Sequence, residues 1–391
     1  MEADNSRQLH GFHHIDTEHI MALSLKQRCI NELMTIGAFP TAPYSESRVA
    51  RYIKSRLASI DVAIHQDRFG NIIACYEGPG APSSGGIGFA AHMDHPAVDI
   101  LDQEHGMLLG SIRKEYFAKK VPILVYPTKT PDAGSPDPAI KGYIKSCEVS
   151  DNRKLMFNLK LEQDPAGTPS FGVWDMPAVE FRDDRAYMRA VDDVGGCALA
   201  LLAMEEIASQ KLPCRCYGIF SRAEETGFVG VTALVNETNI PKDVVIVSIE
   251  TSKTLPGAVI GGGPVIRAGD TIMTFDGHAE SLLLDARESL EDEDSEVKVQ
   301  RQLMTGGGCE GTVYMLAGYP TTGLALPLGN YHNMGDGETL APEYIDLDDF
   351  STGVRLLVRA ASCNPGDYKA RLTERLFGRA EADHHRLLEN G

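Results

Sequence analysis

Two stretches in the first part of the chain carry apolar residues at helical spacing. "LSLKQRCINELMTIG" (23–37) stops at a glycine, and "SESRVARYIKSRLASI" (45–60) places Val49, Ile53, Leu57 and Ile60 on one face. The period then changes: "FGNIIACYEG" reads as a turn into a strand and "GGIGFAAHMD" as a buried strand. From about 96 to 188 the texture is one of short β-like runs, "VPILVYP", "AIKGYIKSCEV" and "KLMFNLKLE", divided by turn clusters such as "TKTPDAGSPDP", without helical periodicity. Helix and strand patterns alternate again afterwards. "VGGCALALLAMEEIASQ" predicts a helix, "CRCYGIFS", "DVVIVSIE" and "TTGLALPL" predict strands, and the tail from about 368 predicts an amphipathic helix. The acidic run "EDEDSE" (291–296) reads as a solvated loop. The pattern predicts an α/β domain in two parts, 1–95 and 189–391, split by an all-β insertion over 96–188.

Composition narrows the setting. A chain of 391 residues is too long for one small core, which suits a large domain with a second one inserted. The net charge of −18, from 55 acidic against 37 basic residues, argues against nucleic acid as a partner. Apolar runs such as "DVVIVSI" and "CALALLAM" fall far short of a membrane span, so no membrane partner is expected. "MEADNSRQLHGFHH" has no basic patch followed by an apolar core, unlike a secretory signal. Eight cysteines lie without regular spacing. Cys214 and Cys216, in an alternating strand-like run, read as packing residues, and the usage as a whole suits a reducing cytoplasm.

Candidate chemistry stands where the predicted strands end. "GIGFAAHMD" ends in His92 and Asp94, "CRCYGIFSRAEE" in Glu224 and Glu225, and "DVVIVSIE" in Glu250, while "TTGLALPLGNYH" runs out at His332. Asp192 and Asp193, in "MRAVDDVGG", precede a helix start. Ligands of open α/β sheets bind at the carboxyl ends of the strands, so these five segments are expected to converge on one edge. Three carboxylates and two histidines suit two metal ions, zinc with cobalt or manganese as alternatives, each ion taking one histidine and one terminal carboxylate while a third carboxylate bridges. Such a pair lowers the pKa of a shared water and clamps both oxygens of a displacement.

The side-by-side glutamates have a use in that scheme. Two adjacent carboxylates repel, and the simplest excuse for them is a solvated turn. If Glu225 binds a metal, Glu224 need not, because neighbours in extended chain point apart. Glu224 is then free to take a proton from the metal-bound water and deliver it to the leaving group. A glycosidase pair is the rival, but it needs its carboxyl groups about 5 Å or more apart across the scissile bond. Asp94, two residues past His92, is placed to fix the histidine tautomer, or else is a turn residue. His95 and Cys309 receive no role.

The ordered motifs "AAHMD", "AVDDVGG", "AEETG", "SIE" and "NYH" resemble those of the co-catalytic dizinc aminopeptidases, most closely the glutamyl and tetrahedral (TET) family. The resemblance covers nearly the whole chain and implies a mixed-sheet zinc-peptidase domain with helices on both faces, interrupted by an inserted all-β domain. It implies His92 and Glu250 on one metal, Glu225 and His332 on the other, Asp192 bridging and Glu224 as general base. In the wider clan the peptide bond after the bridging aspartate is often cis, which is Asp192–Asp193 here. An insertion between His92 and Asp192 is where these aminopeptidases carry their dimerisation domain, whereas the related carboxypeptidases and deacylases insert theirs between the third acid and the last histidine. Three positions depart from the family pattern: Val194 stands where an arginine is usual, His95 where an acid is usual, and Glu250 where aspartate is usual.

The expected function is a cytoplasmic metallo-aminopeptidase that takes N-terminal residues from peptides. An N-acyl amino-acid deacylase or carboxypeptidase with the same site is the alternative, and it would need an arginine or similar donor for the substrate carboxylate. A catalytically dead scaffold would have no use for Glu224. The insertion is expected to form at least a homodimer, because small β domains leave edges and apolar residues such as Val121, Ile123, Leu124, Tyr143 and Ile144 to be covered.

Overall fold

The computed structural model describes residues 23–128, 139–165, 167–364 and 366–389. Most of the turn cluster "TKTPDAGSPDP" and the first 22 residues lie outside them. Helices α1 (Leu25–Gly37) and α2 (Ser47–Leu57) lead into strands β1 (Ala63–Gln66), β2 (Ile72–Glu77) and β3 (Ile87–His92). Strands β4 (Ala97–Ile100), β5 (His105–Leu109), β6 (Val121–Pro127), β7 (Ile140–Val149), β8 (Leu155–Leu161) and β9 (Ser170–Trp174) follow, then the hairpin β10 (Val179–Arg182) and β11 (Arg185–Met188). Beyond it run α3 (Val194–Ser209), β12 (Arg215–Ser221), α4 (Val229–Glu237), β13 (Val245–Lys253) and β14 (Val265–Arg267). The last elements are α5 (Gly277–Glu293), β15 (Gln300–Gln302), α6 (Glu310–Leu316), β16 (Thr321–Leu328), β17 (Glu343–Asp346), α7 (Leu347–Ala360), α8 (Asp367–Glu381) and α9 (His384–Glu389).

The continuous apolar runs form the middle of a mixed eight-stranded sheet, ordered β1-β2-β12-β3-β13-β16-β14-β15. The neighbours β12, β3, β13 and β16 are parallel. Their residues are buried almost without exception, because helices cover both faces and no position is left to face water. Helices α1, α2, α3, α5 and α7 share one core with the sheet, through residues such as Leu33, Ile53, Leu199, Leu283 and Phe350. On the other face α4 and α6 pack Val231, Leu234 and Tyr314 against Ile219 and Ile246. Helix α3 is buried nearly all round, which is why its sequence shows little polar stripe.

Strands β4 to β9 close into a barrel in the order β4-β5-β8-β7-β6-β9, around Phe117, Phe157, Leu159 and Trp174. Closure removes the open edges expected of a small β unit, and Val121, Ile123 and Ile144 point into its core. Leu124 packs beside Ala42 and Phe171, so it too lies within the chain's own packing. The acidic run differs from expectation as well. Its first three residues continue α5, where Glu291 pairs with Arg287 at 2.8 Å and Glu293 with Arg359 at 2.8 Å, so charge repulsion does not end the helix. A separate ladder, β10-β11-β17, sets Glu343 opposite Met188, close to the Asp192 segment. Among the described residues no helix is long and apolar enough to cross a membrane.

Candidate metal centre

The four parallel strands deliver the predicted residues to one edge. His92 ends β3 in register with Ser221, which ends β12, and Glu224 and Glu225 occupy the turn that follows. Glu250 lies in β13 beside Ala325 of β16, and His332 follows β16 after a short turn. Asp192 enters from the loop before α3. All five segments meet, although Glu250 lies within β13, which runs on to Lys253, and not at its end as expected.

Asp192 stands between the two histidines. Its Oδ1 is 3.5 Å from His92 Nε2, and its Oδ2 is 3.5 Å from His332 Nε2. Glu250 lies 3.9 Å and Glu224 3.8 Å from His92 Nε2, while Glu225 lies 3.2 Å from His332 Nε2. Two groups, His92–Asp192–Glu250 and Asp192–Glu225–His332, bring their ligand atoms within 4.8 Å of one another, as does His92–Glu224–Glu225. Ligands about 2.0–2.2 Å from a tetrahedral ion are themselves about 3.3–3.6 Å apart, so the spacing suits metal binding. The donor chemistry agrees. Asp192 Oδ1, Glu225 Oε1 and Glu250 Oε1 are buried without a hydrogen-bond partner, each a cost of about 1–3 kcal/mol that a cation would remove.

The surrounding chain holds these groups in place. The Asp94 carboxylate accepts the backbone N–H of Glu224 at 3.0 Å and of Glu225 at 3.1 Å, and it lies 3.5 Å from His92 Nδ1. Ahead of the pair, Ala223 takes a positive φ of 51°, supported by its N–H to buried Glu46, which also accepts from Arg222 Nε at 2.7 Å. The two glutamates are therefore adjacent in a braced turn and only part-exposed. His332 Nδ1 donates to the Ser111 carbonyl at 2.7 Å, which leaves Nε2 with its lone pair toward Asp192 and Glu225. The Asp192–Asp193 peptide is cis, as the resemblance implies. Gly196, one turn into α3, has no alternative: a Cβ there would sit 2.3 Å from the Asp193 carboxylate. Val194, at the position where arginine is usual, is fully buried in the main core.

Electrostatics within the protein are unbalanced. Burial raises the Glu224 carboxyl well above its usual range, and the charges of Glu250 and Glu225 add to this against the opposing effect of His92. Burial likewise pushes Glu250 up to about 8. Burial opposes ionisation of His92 and His332, but the charge of Glu224 on the first and of Glu225 on the second, with Asp192 beside both, holds each well above its ordinary value. Asp192 is driven low despite its burial, by the two histidine rings that stand 3.5 Å from its oxygens, one on each side. Five carboxylates around two imidazoles make an anionic pocket that divalent cations would neutralise.

Sequence reasoning did not find every residue here. Lys253 and Arg267 line the cleft beside the acids, with Met304 and Gly306–Gly308. Glu343, Asn333 and His95 form a buried group behind Asp192 and His332. His95 stood out only as a departure from a family pattern. Glu343, in "APEYID", carries no local signal, since its place depends on the pairing of β17 with β11.

Comparison with known proteins points to peptidases. Residues 167–355 match the family model of the M42 glutamyl aminopeptidases, a segment that includes Asp192, Glu224, Glu225, Glu250 and His332. No curated protein sequence matches the chain. Among solved structures, an aminopeptidase from the archaeon Desulfurococcus kamchatkensis has a TM-score of 0.69 at 19% identity, over 89% of this chain and 98% of that one. The Pyrococcus horikoshii TET1 peptidase, described as assembling into a tetrahedron or a large octahedral shell, has a TM-score of 0.66 at 19% identity, over 85% and 99%. A TET aminopeptidase from a marine sediment thaumarchaeote has a TM-score of 0.69 at 15% identity, over 88% and 98%. The match over 167–355, a little under half of the chain, makes that segment similar to the M42 glutamyl aminopeptidases and supports a peptide-bond hydrolase, while the fold is shared with aminopeptidase structures over most of the chain.

Proposed function

We propose that the chain removes N-terminal residues from peptides with two divalent ions, zinc or alternatively cobalt or manganese, held at this edge of the sheet. The observation that carries the reading is the placement of Asp192, with one carboxylate oxygen toward each histidine at 3.5 Å. His92 and Glu250 would hold one ion, Glu225 and His332 the other, with Asp192 shared. Bound there, the ions would supply Lewis acidity and lower the pKa of a water in the site.

The remaining work falls to the protein. Glu224 takes the proton from the attacking water and returns it to the amine that leaves, since burial keeps its carboxyl easy to protonate. Asp94 aims Glu224 by holding its backbone N–H. Lys253, exposed on the cleft wall beside the ligands with Arg267 buried behind it, favours a substrate whose first side chain is acidic. The same cations support a second reading, an N-acyl amino-acid deacylase, because they would also receive a substrate's terminal carboxylate. Arg267 is already engaged with the Ser252 hydroxyl and the Gly307 carbonyl, which leaves the exposed Lys253 as the freer of the two and makes this reading the weaker.

Eight free thiols suit a reducing compartment, and we assign the chain to the cytoplasm on that ground. We further propose an inserted unit over 96–188 and at least a homodimer through it. The assemblies described for TET1 and the exposed Leu101 and Val149 support this, whereas edge covering does not.

A substrate panel on chelated and reconstituted protein tests the function. Chelator should abolish turnover and zinc, cobalt or manganese restore it, with glutamyl and aspartyl anilides preferred over leucyl anilide. Uptake of metal should weaken as pH falls, because His92, His332 and Glu250 are all held above their ordinary values and protons compete with the ions near neutrality. Turnover in metal-free protein would overturn the mechanism, and activity confined to N-acyl amino acids would favour the second reading.

A further inference from the structure

Glu343 begins β17, is fully buried and stands outside the set of ligands. Its Oε2 accepts the backbone N–H of Val191 at 2.7 Å and of Asp192 at 3.0 Å, and its Oε1 accepts that of His332 at 2.7 Å. One carboxylate therefore ties the backbone of the acid that faces both histidines to the backbone of one of them. The His332 segment needs such a tie, since Asn330, His332 and Asn333 all take left-handed φ values, 56°, 55° and 60°, which the chain does not favour by itself.

His95 completes the arrangement. Its Nδ1 meets the Asp192 carbonyl, and its Nε2 is 2.9 Å from Asn333 Oδ1. The orientation of the Asn333 amide is fixed by donation from Nδ2 to the carbonyls of Arg189 at 2.9 Å and Ala341 at 3.2 Å. Both ring nitrogens of His95 thus face oxygen atoms of the neighbouring segments, and the ring lies 3.9 Å from the Glu343 carboxylate. The β11–β17 ladder, with Met188 opposite Glu343, brings the acid to this spot.

We propose that Glu343, backed by His95 and Asn333, is the positioning residue of the metal centre. It sets the spacing of Asp192 and His332 through their backbone N–H groups and touches neither substrate nor ion. The proposal rests on the two-ion reading above and extends it to the residues that make the site rigid.

Glu343→Gln keeps the size of the side chain but turns an NH₂ group toward at least one of the three N–H donors. Zinc titration of chelator-treated wild type and variant, with thermal melts before and after zinc, separates the possible roles. A purely structural acid would lower the melting temperature of ion-free protein and leave the rise on adding zinc unchanged, because that rise depends on affinity. A positioning acid reduces the rise. We expect two zinc equivalents in the wild type, about 10–100-fold weaker uptake in the variant, and a fall in kcat with KM little changed. His95→Gln should act in the same direction and decides the matter if Glu343→Gln does not fold. A folded variant with wild-type zinc affinity and a wild-type rise in melting temperature overturns the proposal, and loss of fold in both variants assigns the group to folding and overturns it too. Fewer than two equivalents in the wild type would instead overturn the two-ion reading, a result visible before any variant is compared.

Discussion

Glu224 and Glu225 leave the same braced turn and meet different neighbours, Glu225 lying 3.2 Å from His332 Nε2 while Glu224 faces His92 at 3.8 Å. That difference supports the different work proposed for them despite identical chemistry. Glu224→Gln should lower kcat by about 10²–10⁴-fold, the usual loss for a positioned base, with metal content by elemental analysis unchanged. Near-normal turnover would remove the base assignment. Asp192 and Glu250 differ in another way, since only Asp192 has an oxygen toward each histidine. Asp192→Ala should therefore lose more metal per chain than Glu250→Ala, and equal losses would argue that Asp192 does not bridge.

At the scale of elements, the sequence was most legible where periodicity and burial coincide. The runs ending in His92, Glu250 and His332 read as strands because helices cover both faces and almost every residue is apolar, so the chemistry at their ends could be ordered along the chain. Helices α4, α5, α6 and α7 and strands β14, β15 and β17 escaped reading. The strands are three or four residues long, too short for a period, and exist only by pairing with partners distant in sequence. The same non-locality hid Glu343, whose three donors come from residues 191, 192 and 332. The acidic end of α5 misled for the opposite reason: composition suggested a loop, and arginines at 287 and 359 neutralise the helix instead.

For the whole molecule, the barrel is more than an appendage, because its Ser111 carbonyl orients His332 and its Tyr116 hydroxyl donates to Gly335 at 3.0 Å. If it also carries the contact between copies, light scattering should show at least a dimer at micromolar concentration, and charged residues in place of Leu101 and Val149 should weaken it. A stable monomer would refute the assembly, and a dimer indifferent to both substitutions would move the contact elsewhere. The barrel also lies in the chain between the first proposed ligand and the rest, so His92 and His332 are 240 residues apart. At an ordinary synthesis rate of about 5–20 residues per second, His332 follows His92 by roughly 10–50 s. A nascent chain thus holds an incomplete set of the proposed ligands for that interval, and the set closes late, with His332 following β16 once that strand lies beside β13.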